Sequence, residues 1–521
     1  MATMVRSLAA EGIDGFVIEV EATVIKGGQQ QISIIGLGDQ AVKEAAERMQ
    51  AAIEFCGYEI PKDKVILSLA PGDRRKRGSH YDLPMAVALL LQTNQIVGKE
   101  LDGYAFIGEL SLNGNVRSCT GVLPMVNAAK MRGIKNVVLP ISNVAEAKSV
   151  SGIKVIGVDT LRTVIRILEG KTRIEDLSME PNTIEASQYK IKSNEDLQVD
   201  FADVKGQDEL IDAIVLGAAG GHNVLMIGEP GSGKTMIAER IPTILPNMTE
   251  KESLEVTKIH SISGLLEPGE GLIKIRPFRA PHHNVSLNAL IGGGTYAQPG
   301  EVSLSHNGVL FLDELAEFSK STLDALRQPL QDKKVTISRV NGTNTYPSNF
   351  MFVTAMNPCK CGYYGTNKCR CTDYEVMHYR NRISGPILER IDIQKWVRTV
   401  GFFELENESR YKSSEELRKI VSRARDIQDN RYKDNPDVNC NAQMTTSLIQ
   451  KYCKIDEETT ALLKDNSEKY GYSARVIHKI LMMARTAADI RQSETIEKED
   501  IIFVLGCRDL DKSNAKLYTV G

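Results

Sequence analysis

The sequence predicts a multidomain α/β protein that ends in a helical domain, and three observations lead to this prediction. At 521 residues the chain is too long for a single ordinary core. Strand-like and helix-like runs alternate over most of its length. From about Ser413 onward apolar residues recur at spacings of three and four, which is typical of amphipathic helices. Hydrophobic residues at 42% and charged residues at 25% match globular proteins and exclude a fibrous or wholly disordered chain.

The predicted domain boundaries follow changes in this pattern. Residues 1–170 form a mixed α/β domain, 171–197 a polar linker, 198–400 a second α/β domain, and 401–521 the helical domain. The strand-like runs of the first domain are 16–25, 31–35 and 65–69, and its helical runs are 40–55 and 83–92. The sequence contains no repeat of fixed period, which excludes solenoid and propeller architectures.

Charge and apolar patterning indicate where the protein works. A net charge of −3 excludes histone-like coating of nucleic acid, so any basic surface has to be local. Residues 1–16 lack the apolar core of a signal peptide, and the longest apolar stretch, 83–91, is too short to span a bilayer. We therefore expect a soluble cytoplasmic protein without a membrane partner. Its nine cysteines are then reduced thiols or metal ligands rather than a disulfide framework.

A phosphate-binding loop follows the apolar run 224–227. Its residues match the P-loop pattern at every position and are Gly228, Glu229, Pro230, Gly231, Ser232, Gly233, Lys234 and Thr235. The glycines let backbone N–H groups face phosphates, and the helix that starts near Lys234 adds its positive end. We expect Lys234 to reach the β- and γ-phosphates and Thr235 to bind Mg²⁺. The alternative is a glycine-rich turn with an incidental lysine.

A second motif supports the nucleotide site. The apolar run 309–312 ends in Asp313 and Glu314, which an interior strand would deliver to the same place. Asp313 would bind Mg²⁺, and Glu314 would act on the attacking water. An Asp-Glu pair after a strand is more often a solvated strand end or a helix cap. The pair indicates a nucleotide site only because a P-loop accompanies it. Together the two motifs predict an enzyme that hydrolyses a nucleoside triphosphate.

The order of these motifs resembles the AAA+ ATPase core. A third strand, 350–354, is followed by Asn357, which the resemblance makes the sensor of the hydrolytic water. Segment 387–392 resembles the arginine-finger segment, in which Arg390 reaches the nucleotide of a neighbouring subunit. Arg382 is a rival finger, and a helix-surface ion pair of Arg390 with Glu389 or Asp392 is the alternative. A finger supplied in trans implies a ring, which we expect to be a homo-hexamer.

Two further segments match the same core. Segment 471–475 resembles the second sensor, which would place Arg475 over the phosphates from a helical lid. Val204, Gly206 and Gln207 resemble the box that lies beside the adenine.

Two insertions narrow the resemblance. Lys234 and Asp313 are further apart than one helix and one strand require, and the extra residues include 276–283 and 291–294. Beyond Asp313, strand-like runs flank Asn341-Gly342, a pair that favours a two-residue hairpin. These insertions resemble those of magnesium-chelatase motor subunits and MCM helicases, where both project toward the central pore. His282 and His283 lie in the first insertion; adjacent side chains of a strand cannot both face one ligand, and their role stays open.

Longer segments resemble the YifB/ComM family of magnesium-chelatase-like ATPases over essentially the whole chain. They are RPFRAPHHNVSLNALIGGG, HNGVLFLDELAEF, LRQPL, AMNPCKCGYYG and ISGPILERIDI. The resemblance implies a hexameric ATP-driven helicase or translocase on single-stranded or branched DNA, with branch migration during natural transformation as the task of ComM members. The alternative is a magnesium-chelatase-like or chaperone-like ATPase that remodels a protein partner.

The first domain resembles the proteolytic domain of Lon, which has a ribosomal S5 domain 2-like fold and a serine-lysine dyad. Segments 82–89, 108–110 and 133–135 carry this resemblance. Alignment on them puts His80 at the position of the serine and Leu123 at that of the lysine, although Ser79 lies one position away. We therefore expect this domain to be proteolytically inactive.

Basic and cysteine clusters complete the candidates. The run 74–77, Arg-Arg-Lys-Arg, either contacts phosphates or is a solvated loop, and Arg339 beside the hairpin is the better candidate for DNA contact. Four cysteines follow Asn357 as two Cys-x-Cys pairs and are sufficient for tetrahedral Zn²⁺. They are Cys359, Cys361, Cys369 and Cys371. Structural zinc, free thiols and a redox-sensitive pair all remain open for them.

Overall fold

The structure is a computed structural model of the chain and describes residues 2–27, 29–98, 101–172, 199–339, 342–401, 413–435, 437–511 and 513. The described residues cluster into two compact units. Unit 1 lies within Met1–Ile191 together with Glu250–Ile273, and unit 2 lies within Lys192–Thr249 and Lys274–Gly521. Almost all of the predicted linker, 171–197, is outside the described residues. Among the described residues, no helix is both long and apolar enough to cross a membrane.

Unit 1 is built on a seven-stranded mixed sheet in the order β3-β4-β2-β1-β5-β8-β9. The strands of unit 1 are β1 Thr3–Glu11, β2 Asp14–Ile25, β3 Gln31–Ile35, β4 Lys64–Ala70, β5 Tyr104–Phe106, β6 Glu109–Leu110, β7 Val116–Arg117, β8 Asn136–Pro140 and β9 Lys154–Val158. β6 and β7 form a separate short hairpin. Its helices are α1 Gln40–Phe55, α2 Asp82–Gln92, α3 Val122–Met131, α4 Val144–Lys148 and α5 Leu161–Leu168. The predicted strands and helices of this region are confirmed.

The first strand was not predicted. β1 pairs antiparallel with β2 along its whole length, from Thr3 opposite Ala22 to Glu11 opposite Asp14. Val5, Leu8 and Ala9 are buried in the unit 1 core, so β1 stands in the middle of the sheet between β2 and β5. The segment therefore has a structural role at the centre of this domain.

A helix from the second half of the chain also belongs to unit 1. This helix, α8 (Glu250–Ile262), lies in sequence between the P-loop and Asp313. The buried carboxylate of Glu146 accepts hydrogen bonds from the backbone N–H of Leu123 and from the hydroxyl of Ser261. The backbone N–H of Gly121 donates to the carbonyl of Ser261 at 3.1 Å. Part of the first predicted insertion is therefore a component of unit 1.

Unit 2 contains a five-stranded parallel sheet in the order β11-β14-β17-β10-β18. These strands are β10 Val224–Gly228, β11 Phe278–Arg279, β14 Val309–Leu312, β17 Met351–Met356 and β18 Ile393–Val397. Every residue of β10, β14 and β17 is buried, as expected for parallel strands covered on both faces. Because all five strands are parallel, their carboxyl ends meet at one edge of the sheet.

Helices cover the sheet of unit 2 and make up the C-terminal part of that unit. They are α6 Asp208–Gly220, α7 Lys234–Ile244, α9 Leu287–Ile291, α10 Glu301–Leu304, α11 Lys320–Ala325, α12 Arg327–Asp332, α13 Asp373–Arg380, α14 Gly385–Leu388, α15 Ser414–Arg431, α16 Thr446–Tyr452, α17 Glu457–Tyr470, α18 Ala474–Ile490 and α19 Lys498–Gly506. The predicted helical region beyond Ser413 is confirmed. Its apolar stripe packs into the same hydrophobic core as α6 and the sheet.

Two short hairpins stand outside the main sheet. They are β12 Gly292–Gly293 with β13 Gln298–Pro299, and β15 Lys334–Arg339 with β16 Gly342–Pro347. The predicted second hairpin is confirmed, but Gly342 was expected in its turn and is not there. Arg339 pairs with Gly342, so Gly342 belongs to the strand, and residues 340 and 341 between them lie outside the described residues.

Candidate functional site

The P-loop connects β10 to α7 at the carboxyl edge of the parallel sheet. Gly231 and Gly233 have φ angles of 80° and 87°, which glycine adopts without strain. Lys234, which is 8% exposed, directs its ammonium to the carbonyls of Gly228 and Glu229, each at 2.9 Å. Burial lowers the pKa of Lys234, and the nearby carboxylates of Asp313 and Glu314 oppose that effect. The loop thus holds a partly desolvated cation at a helix N-terminus, where an anion binds well.

Asp313 lies directly opposite the P-loop. The hydroxyl of Thr235 donates to Oδ2 of Asp313 at 2.8 Å, although 78 positions separate them. Hydroxyl and carboxylate oxygens are the ligands that Mg²⁺ prefers, so the donor set here fits that ion. The structure thus brings together the two residues that the sequence assigns to Mg²⁺.

Glu314 has an unusual backbone conformation. Its φ of 52° and ψ of 48° lie in the left-handed region, which is uncommon for a residue with a side chain. Its backbone N–H donates to Oδ1 of Asp313 at 2.9 Å. This turn presents a half-exposed carboxylate at the sheet edge, beside the P-loop.

His283 contacts Glu314, a partnership that the sequence analysis did not find. Nδ1 of His283 lies 3.3 Å from Oε2 of Glu314. His282 and His283 follow β11 outside any strand, and their rings are 4.1 Å apart. The two side chains are therefore not held on opposite faces of a strand. β11 lies next to β14 in the sheet, which brings the residues that follow it close to Glu314. No motif in the sequence indicates this adjacency.

Asn357 follows β17, the strand between β14 and β10. Its Oδ1 lies 3.5 Å from the ammonium of Lys234. The hydroxyl of Thr354 donates to the carbonyl of Leu312 at 2.9 Å and ties β17 to the strand that carries Asp313. Lys234, Thr235, Asp313, Glu314 and Asn357 therefore converge at one edge of the sheet.

The segment predicted to lie beside the adenine packs next to β18. Val204 is buried, Gly206 has a φ of 67°, and the amide of Gln207 donates to the carbonyl of Arg398 at 2.6 Å. A Cβ at Gly228 would lie 2.7 Å from the carbonyl of Val397, so the P-loop strand presses closely on the end of β18. The segment is thus close to the strand that leads into the P-loop.

Arg390 and Arg382 lie in different surroundings. Arg390 donates to the carbonyl of Pro386 and to Oε1 of Gln331, each at 2.7 Å, and within the described part of the chain no carboxylate is in salt-bridge distance of it. Burial, and then Arg475 and Arg327, lower the pKa of Arg390. Arg382 instead pairs with Glu317 at 3.1 Å.

The carboxylates flanking Arg390 have other partners. Glu389 lies 3.7 Å from Nη1 of Arg475, the residue predicted as the second sensor, so Arg475 lies beside the finger segment. Asp392 is buried and pairs with Lys479, while its Oδ2 lies 3.5 Å from Nδ1 of His222. Burial opposes ionisation of Asp392, but Lys479 and His222 outweigh it and lower its pKa well below its usual range.

The four clustered cysteines come together immediately after Asn357. Their sulfurs all lie within 4.8 Å of one another. Cys359 is buried, and the other three are half-buried against Val376 of α13. We call residues 358–371, which carry these sulfurs, the cysteine knuckle.

The Lon-like positions of unit 1 are buried or paired within the domain. The hydroxyl of Ser79 donates to Oε2 of Glu109, while His80 and Leu123 are buried. Burial lowers the pKa of His80 to about 4, so its ring is neutral at physiological pH. The structure thus gives Ser79 an acidic partner, which does not activate a serine as a lysine base does.

The basic run 74–77 is only partly available to a ligand. The side chain of Lys76 is buried, and its ammonium donates to the carbonyls of Pro71 and Arg74. The guanidinium of Arg74 lies 4.6 Å from the ring centre of Phe16. At the second hairpin, Arg339 is exposed and donates to Oδ1 of Asn288 at 2.8 Å, so the two insertions of unit 2 touch each other.

Comparisons with known proteins cover nearly the whole chain. The family model "Subunit ChlI of Mg-chelatase" matches residues 20–143, "Magnesium chelatase, subunit ChlI" matches 200–405, and its C-terminal model matches 411–508. Protein YifB of Escherichia coli is 37% identical over 519 residues, which is 98% of this chain and 97% of that protein. Competence protein ComM of Haemophilus influenzae is 35% identical over 515 residues, 99% of each chain. Lon protease 2 of Bacillus subtilis is 28% identical over 180 residues, 31% of this chain and 32% of the protease.

The chain therefore belongs to the YifB/ComM family of magnesium-chelatase-like ATPases. The resemblance inferred from its motifs is confirmed by matches that span all three predicted regions.

Proposed function

We propose that this YifB/ComM family member is a homo-hexameric AAA+ motor that uses ATP hydrolysis to move on DNA. Its task would be branch migration or unwinding of recombination intermediates during natural transformation. In this proposal unit 1 is a Lon-like domain without the protease dyad, and the helices beyond Ser413 form the lid of an AAA+ core. The observation that carries the ATPase part is the convergence of the P-loop, Asp313, Glu314 and Asn357 at one sheet edge.

Each residue at this edge has a distinct task in hydrolysis. The backbone N–H groups of the P-loop and the ammonium of Lys234 bind the β- and γ-phosphates and stabilise the charge that develops there. Thr235 and Asp313 would hold Mg²⁺, which neutralises phosphate charge. Glu314 accepts the proton of the attacking water, and Asn357 orients that water.

His283 adds a positioning group to this arrangement. Its ring, 3.3 Å from Oε2 of Glu314, fixes the direction of a carboxylate that is otherwise half-exposed. A side chain held in one orientation loses less conformational entropy when it meets the water.

The contacts of the arginines support Arg390 as the residue that acts in trans. Its guanidinium has only neutral acceptors among the described residues, which leaves its charge available to a phosphate. Arg382 is paired with Glu317 and lines a cleft together with His283, which contacts Glu314 of the same chain. Because Arg475 pairs with the neighbouring Glu389, we propose that it serves the same phosphates as Arg390.

Two observations favour DNA as the substrate of the motor. Arg339 is exposed where the two insertions of unit 2 touch, and a cation there suits a phosphate backbone. A relative that matches 99% of this chain is a competence protein by name. The second candidate is a motor that remodels a protein partner, which the match to magnesium-chelatase subunits favours.

Steady-state ATP hydrolysis at fixed moderate salt tests the proposal, because phosphate contacts weaken steeply as salt rises. Wild type is measured alone, with single-stranded DNA and with a four-way junction, and Lys234→Ala provides the blank. We expect hydrolysis that rises at least about fivefold with DNA, an effect that Arg339→Ala should reduce. Hydrolysis indifferent to both DNAs would favour the protein-partner alternative.

A further inference from the structure

We propose that Cys359, Cys361, Cys369 and Cys371 bind one Zn²⁺, and that the knuckle they close holds the P-loop in the conformation that binds ATP. The second half of this inference rests on the ATP-binding role proposed above. The first half stands on the cysteine geometry alone.

The sulfur positions match a single tetrahedral ion. Sγ of Cys359 lies 3.4 Å from that of Cys361 and 3.9 Å from that of Cys369, and the Cys361 and Cys369 sulfurs are 3.7 Å apart. Four thiolates about 2.3 Å from a central zinc are separated by about 3.8 Å from one another. A disulfide requires a sulfur separation of about 2.05 Å, well below these distances. The four groups therefore surround one small volume and are all unpaired thiols.

The knuckle has a firm base on the rest of unit 2. Arg380 is buried beneath it, donates to the carbonyl of Pro358 at 3.2 Å, and lies 5.1 Å from the ring centre of Tyr364. Thr372, directly after the last cysteine, caps α13 in a reciprocal capping box with Glu375. Both ends of the knuckle are thus fixed. Binding of one metal ion by its four thiolates would then define the position of the whole segment.

The middle of the knuckle lies against the P-loop. A Cβ placed on Gly362 would be 2.8 Å from Cδ and 2.9 Å from Cγ of Pro230, so the backbone of Gly362 is already in van der Waals contact with that ring. Asn357, two residues before the first cysteine, reaches Lys234 at 3.5 Å. The knuckle therefore meets the P-loop at Gly362, and the residue directly before it, Asn357, contacts Lys234. A change in the fold of the knuckle changes the support of both contacts.

The metal is tested first and independently of ATP. The full chain is purified under reducing conditions, reconstituted with zinc, desalted, and assayed for bound metal by mass spectrometry. We expect about one zinc per chain for wild type and for the control Cys56→Ser, and less than about 0.2 for the double variant Cys369→Ser/Cys371→Ser. Wild type that retains less than about 0.2 zinc per chain would overturn the metal site.

The coupling is tested with two glycine variants that keep all four thiols. Alanine is unfavourable at both positions, because the φ angles of Gly362 and Gly365 are 86° and 91°. The new Cβ of Gly362→Ala also clashes with Pro230, whereas that of Gly365→Ala has no atom within 4 Å. Both should bind one zinc. We expect Gly362→Ala to raise the Kd of a fluorescent ATP analogue at least about tenfold and Gly365→Ala less than about threefold.

The outcomes separate the two proposals. Equal Kd values for the two glycine variants would overturn the coupling, since backbone strain alone would then explain any change. Zinc-loaded wild type that binds no ATP analogue would overturn the proposed ATPase and the coupling together, while the metal count still decides the zinc site.

Discussion

The Asp82 cluster of unit 1 and the carboxyl edge of the unit 2 sheet both gather charged side chains at the ends of buried strands and helices, but the partners of those side chains differ. In unit 1, Asp82 is fully buried and accepts from Nε of Arg48 at 2.7 Å and from the backbone N–H of Leu110 at 3.2 Å. In unit 2, Lys234 contacts backbone carbonyls and the carboxylate of Glu314 is half-exposed. A charged group whose partners lie inside the fold is held in place there, whereas a group that faces an open edge remains available for chemistry.

The largest expected effect is at the open edge, in Lys234→Ala. In the proposed function this ammonium binds the β- and γ-phosphates, so we expect its loss to lower ATP hydrolysis at least about 10⁴-fold and to lower ATP affinity as well. Hydrolysis is measured by phosphate release, and the exposed Lys464→Ala in α17 is the matched control. Equal activity of the two variants would place the site elsewhere.

Glu314→Gln sharpens the comparison by separating binding from turnover. The amide keeps the size of the side chain but cannot take a proton, so we expect kcat to fall about 10²–10⁴-fold with ATP affinity preserved. Glu317→Gln, which alters the exposed partner of Arg382, serves as the control. Turnover at the wild-type rate in Glu314→Gln would show that another group is the base.

The distance in sequence between interacting residues explains how much of the structure could be predicted. The P-loop, the Asp313 strand and the helices beyond Ser413 were predicted because their signals are local: short spacings, apolar runs and glycines that a turn requires. The contacts of Ser261 with Glu146 and of His283 with Glu314 were not, because they join residues that no periodicity relates. β1 was missed because the alternation of its apolar residues is interrupted, and its antiparallel pairing with β2 decides its place in the sheet.

Asp82→Ala tests whether the closed cluster of unit 1 acts only on stability. Removing the buried carboxylate leaves Arg48 with only the carbonyl of Ala41 and the more distant Glu44, and it takes an acceptor from the N–H of Leu110. We therefore expect a loss of about 3 kcal/mol in the free energy of unfolding. Hydrogen exchange of amides in α1 and α2 reports this loss locally, and ATP hydrolysis measured below the unfolding range should change less than about twofold. A selective loss of hydrolysis without faster exchange would contradict a purely structural role.

The pH dependence of Asp82→Asn sharpens the same point. Burial raises the pKa of Asp82 to about 6 from a usual value of 3.8, and Arg48 reduces that shift. A carboxyl whose folded pKa is raised contributes stability below about pH 4 and loses it as pH rises through about 6. The amide does not titrate, so the stability of wild type relative to Asp82→Asn should decrease between pH 4 and 7 in chemical denaturation. A difference that is constant with pH would contradict the raised pKa.

A smaller effect is expected from His283→Ala. Because we propose that His283 acts only by orienting Glu314, we expect kcat to fall about tenfold with KM unchanged. His283→Asn, which retains a hydrogen-bond donor, should recover part of the loss. His282→Ala removes the neighbouring ring and is the control. A rise in KM without a change in kcat would assign His283 to nucleotide binding instead.

The smallest effect is expected from Ser79→Ala, which tests the residue nearest to the serine position of the Lon-like domain. Its hydroxyl donates to Glu109, and Leu123 stands at the position expected for the lysine base, so wild type should not cleave casein. The variant should hydrolyse ATP at the wild-type rate. Loss of one part-buried hydrogen bond should lower the free energy of unfolding by only about 1 kcal/mol. Casein cleavage by wild type that disappears in Ser79→Ala would show that Ser79 is a catalytic nucleophile although its hydroxyl is paired with Glu109. The distinction between the units would then depend on something other than whether a charged group has its partner inside the fold.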